Sequence, residues 1–108
     1  MPVTAGTGGG VPNMTLKAWA YVTSAGALVR GFNVASSSRA GLGAYQVNFS
    51  AAMSTAEYVG RVVVVSSASS AIIATVVTNG TGSCKVFPSS GGGGGGGADS
   101  AFYVEIYE

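Results

Sequence analysis

Gly41-Leu42-Gly43-Ala44-Tyr45-Gln46-Val47-Asn48-Phe49-Ser50-Ala51-Ala52-Met53 is the stretch on which the reading of this chain turns. Its two leading glycines let the backbone turn without steric cost. The residues then alternate: Tyr45, Val47 and Phe49 fall on one face of an extended segment, and Gln46, Asn48 and Ser50 on the other. Period two with one apolar and one polar face predicts a half-buried strand over Ala44–Ser50.

Working outward, the same pattern recurs in short segments set between turn signals. Leu16–Thr23 is a first strand, with Trp19 and Tyr21 on one face and Ala18, Ala20 and Val22 on the other. Ser24-Ala25-Gly26 is a turn, and Leu28–Val34 the returning strand of a hairpin. Ala35–Gly43, rich in Ser and Gly, is expected to be a loop. Ala51–Ala56 is a bend carrying Met53. Tyr58–Ser66 is so rich in Val that burial on both faces is expected. Ala71–Thr78 follows, then the turn Asn79-Gly80-Thr81-Gly82, a strand at Cys84–Phe87, a loop from Pro88 to Asp99 and a last strand over Ser100–Tyr107. No helical periodicity of any length is present. About seven short strands with Gly/Ser turns predict an all-β fold, a compact antiparallel β-sandwich or barrel-like domain. The expected organisation is a flexible N-terminal arm over residues 1–14 and one β domain over 15–108.

Composition narrows function. The chain has 108 residues, and its charged residues make up 8%, against a typical ~25%. They are Lys17, Arg30, Arg39, Arg61, Lys85, Glu57, Asp99, Glu105 and Glu108. A mean hydropathy of +0.44 with so few charges predicts that partners cover part of the surface. A net charge of +1 and the lack of a basic stripe give no electrostatic case for nucleic acid. No run of apolar residues is long enough for a helical membrane span, so no membrane insertion is expected. Cys84 stands alone, which excludes an internal disulfide and a Cys-rich metal site and suits a reducing cytoplasm.

No catalytic constellation emerges, so no catalytic, cofactor-binding or metal-ligating residue is assigned, no cofactor is expected, and the chain is read as non-enzymatic. There is no His, the commonest general base. Glu105 and Glu108, three apart in a strand, are expected to face opposite sides as solvated charges. Gly41-Leu42-Gly43 lacks the helix a phosphate loop needs. Asp99 is expected to cap a turn. Trp19, Tyr45, Phe49 and Phe102 are assigned to the core, whereas Tyr103 and Tyr107 alternate against Phe102, Val104 and Ile106 and are the candidates for an exposed or interface face. The run Gly91–Gly97 is expected to form a mobile loop.

The ordered set Lys17-Ala18-Trp19, Phe32-Asn33-Val34, Gly43-x-Tyr45-x-Val47-x-Phe49, Ala52-Met53, Tyr58 and the closing strand Phe102–Tyr107 resembles the small β domains of bacteriophage tail-fibre and related virion surface proteins. The resemblance runs from about Lys17 to the C-terminus. It implies a virion structural protein, made in the host cytoplasm, that assembles as a homotrimer and touches other virion proteins. It also implies loops that contact a host surface glycan or protein, here Ser36–Gly43, Ser66–Ser70, Asn79–Ser83 and Ser89–Asp99. Two other roles stay open: a capsid decoration (cement or head-fibre) protein anchored by the arm at residues 1–14, and, from a different class, a carbohydrate-binding module.

Overall fold

The interior strands of two sheets send alternate residues into one core, and their small-and-large pattern sets how the sheets stack. The computed structural model describes residues 14–65, 72–90 and 97–108. The expected arm at residues 1–14, Met14 excepted, lies outside the described residues, as do Ser66–Ser70 and Gly91–Gly96. The strands are β1 (Leu16–Val22), β2 (Leu28–Phe32), β3 (Val34–Gly41), β4 (Ala44–Phe49), β5 (Val59–Val65), β6 (Ile72–Thr78), β7 (Ser83–Ser90) and β8 (Ala101–Tyr107). They form two four-stranded antiparallel sheets, sheet A in the order β2-β1-β8-β5 and sheet B in the order β3-β4-β7-β6. The two sheets pack as a β-sandwich, as the strand pattern predicts.

Ala18, Ala20 and Val22 of β1 and Phe102, Val104 and Ile106 of β8 face inward from sheet A. Tyr45, Val47 and Phe49 of β4 and Cys84 and Val86 of β7 meet them from sheet B. Two edge-to-face ring pairs cross the core: Tyr45 with Phe102, centroids 5.2 Å apart, and Phe49 with Tyr58, 5.7 Å apart. Such pairs add about 0.5–1.5 kcal/mol beyond the burial of their surface. Met53 packs into the same cluster from the bend after β4.

Four expectations need correction. The segment Leu28–Val34 is not one strand, because the chain crosses from sheet A to sheet B at Asn33. Asn33 takes a left-handed backbone conformation (φ 56°), which Asn tolerates better than most residues. Its Nδ2 donates to the carbonyls of Lys17 and Ala51 at 3.1 Å each, and its Oδ1 accepts from the Ala51 amide at 2.7 Å. The expected loop Ala35–Gly43 is mostly β3, an edge strand held by pairing with β4 rather than by propensity. The sixth expected strand, Cys84–Phe87, runs on through Pro88 to Ser90. Pro88 is tolerated because β4 has already ended on that side: the last β4–β7 pair is Tyr45 with Val86. Finally, the Val-rich segment expected to be buried on both faces is β5, an edge strand of sheet A. Val59, Val63 and Val65 are exposed on it, and its other face packs inward.

β5 and β6 close one side of the sandwich, and Gly60 permits the close approach. A Cβ built there would collide with Val76 Cγ1 and lie 3.0 Å from Val76 Cβ, and a β-branched side chain has little room to give way. Replacing Gly60 with Ala is therefore expected to cost ~1–3 kcal/mol through overpacking. A urea melt checks this: the midpoint falls with little change in slope.

Candidate functional site

On β1 the side chains opposite the inward Ala18, Ala20 and Val22 must point out, which places Trp19 and Tyr21 on the outer face of sheet A. Trp19 is half-buried there, not in the core, while Tyr45, Phe49 and Phe102 are core as expected. Tyr103 and Tyr107 share the outer face with Trp19, as their alternation predicts. Strand register assembles these residues into rows. Phe32, Trp19, Glu105 and Arg61 lie side by side across all four strands, and Arg30, Tyr21, Tyr103 and Val63 form the next row. Tyr107 and Val59 continue the face towards Leu16.

Contacts within the face are specific. The Tyr21 and Tyr103 rings stack with centroids 4.6 Å apart. The Arg30 guanidinium lies over both, 5.3 Å and 5.9 Å from their centroids, and donates to the Tyr103 hydroxyl at 2.9 Å. Glu105 accepts from the Tyr107 hydroxyl at 3.3 Å and faces Arg61 at 3.8 Å. A shallow cleft of about 300 Å³ is lined by Leu16, Trp19, Val63, Tyr103, Val104 and Glu105.

The connections divide between two poles. At one pole lie the β1–β2 turn, the Leu42-Gly43 turn and the segment before β8, together with the ends of β5 and β7 and the start of β6. Asp99 ties this pole together. Its carboxylate accepts from Arg39 Nε at 3.0 Å and from the Gly43 amide at 3.0 Å, with Arg39 Nη2 at 2.9 Å. The Tyr45 hydroxyl, 2.6 Å from the Ser24 carbonyl, sits 3.2 Å from the same carboxylate. Gly43 is in a left-handed conformation (φ 64°), and an added Cβ would lie 2.7 Å from the Ala98 nitrogen and the Pro88 carbonyl oxygen. Asp99 thus caps a turn, as its sequence neighbours suggest, and also pins the β7–β8 connection; the pairing with Arg39, 60 residues away, is invisible in sequence. The hydrogen bonds from Arg39 and then Gly43 hold its carboxyl below the usual range, and burial pushes the Tyr45 hydroxyl up.

The opposite pole holds Thr15 and Glu108, whose backbones exchange two hydrogen bonds of 3.0 Å, along with Asn33, the β4–β5 bend and the β6–β7 turn. Glu108 does not end as a solvated charge. Its carboxylate accepts from the Ser54 amide at 3.0 Å and the Ser54 hydroxyl at 2.7 Å, which hold its pKa below the ordinary value. An open depression of about 650 Å³ here is lined by Lys17, Phe32, Asn33, Met53 and Glu108 among others, but Asn33 and Glu108 are occupied in holding backbone. Of the expected contact loops, Leu42-Gly43 and the described parts of Ser89–Asp99 lie at the Asp99 pole, Asn79–Ser83 lies at the Glu108 pole, and Ser66–Ser70 lies outside the described residues. Of the Gly91–Gly97 run, only Gly97 is described, and it bridges to Ser89.

Among the described residues no three of His, Cys, Asp and Glu cluster, and no helix is long and apolar enough to cross a membrane. Comparisons with protein-family models, curated proteins and solved structures found no match for this chain.

Two outcomes follow. Cys84 is fully buried and burial alone pushes its thiol up to about 12, so it should resist a disulfide reagent at neutral pH in the folded protein and react once the protein is unfolded in urea. Asp99 and Glu108 both have folded values below their unfolded ones of roughly 3.9 and 4.3. The stability they contribute is complete above those unfolded values and is lost as pH falls through the depressed folded values. Thermal midpoints should therefore hold steady from neutral pH down to about 5 and drop below about 4, and Asp99→Asn should lower the neutral midpoint while flattening that acid drop.

Proposed function

We propose that this chain is a non-enzymatic structural domain of the bacteriophage virion surface, a tail-fibre-like unit that assembles as a homotrimer. The observation that carries the reading is the division of the sandwich into an apolar, aromatic sheet face and two unlike poles. Thr15, just before β1, and Glu108, just after β8, are joined by backbone hydrogen bonds at one pole. The Asp99 pole, with Leu42 65% exposed at its turn, stands at the other end and is free to point away from an attachment point. That is a layout suited to a display domain: attachment at one end and exposed connections at the other. The resemblance carried by Lys17-Ala18-Trp19 and Tyr45-x-Val47-x-Phe49 supports the virion assignment, and the paucity of charge supports coverage by partners. In this reading the Asp99 pole meets a host surface glycan or protein, with weak contacts multiplied by the three copies.

The test is cryo-electron microscopy of purified particles of the virus encoding the chain, with mass spectrometry of the same particles. Density at the tail or baseplate, with the Asp99 pole outermost, is the expected result. Density at capsid hexamer or three-fold positions replaces the fibre role with decoration, and absence of the chain from particles overturns the virion reading.

A further inference from the structure

We propose that Asn79-Gly80, in the β6–β7 turn, is a site of spontaneous deamidation, at which the chain alters its own backbone with water as the co-reactant, and that the Ser83 hydroxyl restrains the reaction. Nothing in this depends on the virion reading. The chain has four asparagines, and Asn79 is the one followed by glycine; Asn13, Asn33 and Asn48 precede Met14, Val34 and Phe49. Glycine has no Cβ, so it leaves its own amide nitrogen open to close approach. The surroundings of Gly80 are open as well, since an added Cβ would meet nothing within 4 Å. Asn79 and Gly80 are both exposed, and among the described residues the Gly80 amide donates no hydrogen bond. Asn33 and Asn48 differ. The side-chain amide of Asn33 is held at both its nitrogen and its oxygen by Lys17 and Ala51. Asn48 lies within β4, and its Nδ2 donates to Ser36 Oγ at 2.9 Å.

In the reaction the Gly80 amide gives its proton to base, and its nitrogen forms a bond to Asn79 Cγ. The Cγ–Nδ2 bond breaks and ammonia leaves, closing a five-membered succinimide. Water then opens the ring at either carbonyl and leaves aspartate or isoaspartate. Water enters, ammonia departs and nothing is oxidised or reduced. Ring closure needs the carboxamide to turn towards the Gly80 nitrogen, and Ser83 resists that rotation. Asn79 Nδ2 donates to Ser83 Oγ at 2.9 Å, and the same oxygen lies 3.3 Å from the Asn79 carbonyl oxygen. Ser83 is therefore a positioning residue. The product changes the turn in two ways. One added negative charge takes the formal net charge from +1 to 0 and removes the donor to Ser83. Isoaspartate also lengthens the main chain by one carbon, at a turn that anchors the Glu108 pole. The Tyr58 hydroxyl lies 2.6 Å from the Ser83 carbonyl and 3.0 Å from that of Gly80. The Asn79 amide donates to the Ser83 carbonyl at 3.1 Å, and the Thr81 and Gly82 carbonyls accept from the Met53 and Phe49 amides at 2.9 Å each. Modification loosens this link between the β6–β7 turn and the end of β4 with its following bend.

The experiment holds the folded full chain in mildly alkaline buffer and follows its tryptic peptides by mass spectrometry. Cleavage after Arg61 and Lys85 releases Val62–Lys85, in which Asn79 is the one asparagine and no glutamine occurs. That peptide is expected to gain one dalton with time and to split into aspartate and isoaspartate forms on chromatography, while the peptides holding Asn33 and Asn48 stay unchanged. Asn79→Gln, which would have to close a larger ring, should abolish the gain. Ser83→Ala should speed it by on the order of 2–10-fold, the equilibrium weight of one hydrogen bond, and Ser83→Thr, which keeps the hydroxyl, should stay slow. If Ser83→Ala does not fold, Ser83→Cys, whose sulfur is only a weak acceptor, makes the same comparison. The aged fraction, separated from fresh protein by ion exchange, should show a lower thermal midpoint. No gain in the folded chain, while the urea-unfolded chain deamidates, overturns the site. So does an equal gain at Asn33 and Asn48. A Ser83→Ala rate equal to that of the unsubstituted chain overturns the role of Ser83, and an aged fraction that melts with the fresh one overturns the loosening of the turn.

Discussion

The edge-to-face contact between Tyr45 and Phe102 is the constraint from which much of the molecule follows. One ring comes from β4 and the other from β8, interior strands of opposite sheets, so the contact sets how the sheets meet. Tyr45 does a second thing at its far end. Its hydroxyl reaches the Ser24 carbonyl and the Asp99 carboxylate, so the ring that fills the core also registers the β1–β2 turn and the segment leading into β8. A residue that is apolar along its length and polar at its tip can join core and pole in this way, because its hydroxyl is satisfied where it emerges.

Filling the core with rings from β4 and β8 decides what β1 can place there. Opposite Tyr45, Phe49, Met53 and Tyr58 there is room for Ala18 and Ala20 and not for an indole, so the larger side chains of β1 take the outer face. Trp19 and Tyr21 then lie beside Glu105 and Tyr103 of β8, and a face that water would normally meet becomes aromatic. The same packing makes β5 an edge: its inward residues close the sandwich against β6, and Val59, Val63 and Val65 remain outside. Proteins that stay monomeric usually protect such edges with charge, proline or bulges. On β5 the single charge is Arg61, already turned towards Glu105. The unprotected apolar side of the sandwich is the physical basis of the assembly role proposed for the domain.

Two of the four acidic groups hold backbone. Asp99 and Glu108, at opposite poles, each gather donors from segments far away in sequence, and Asn33 does the same with its amide where the chain changes sheets. Each of these polar side chains replaces backbone partners that irregular segments lack.

The all-β class, the antiparallel pairing and most strand positions were legible in the sequence alone, because period-two alternation in Tyr45–Phe49 and Phe102–Ile106 is a property of local geometry. The outward placement of Tyr103 and Tyr107, the turn at Asn79–Gly82 and the capping role of Asp99 were legible for the same reason. The strand β3 was hidden, since Ser and Gly carry little propensity and only its ladder with β4 keeps Ser36–Ser38 extended. The break at Asn33 was hidden because its partners, Lys17 and Ala51, are remote. Alternation along β1 separated Trp19 from Ala18 and Ala20 but could not say which set faces the core, since that depends on the volume of the rings packed opposite. For the same reason the Val-rich run of β5 gave no sign of being an edge: hydrophobicity is local, whereas a strand's place in a sheet is fixed by which neighbours remain to pair with it.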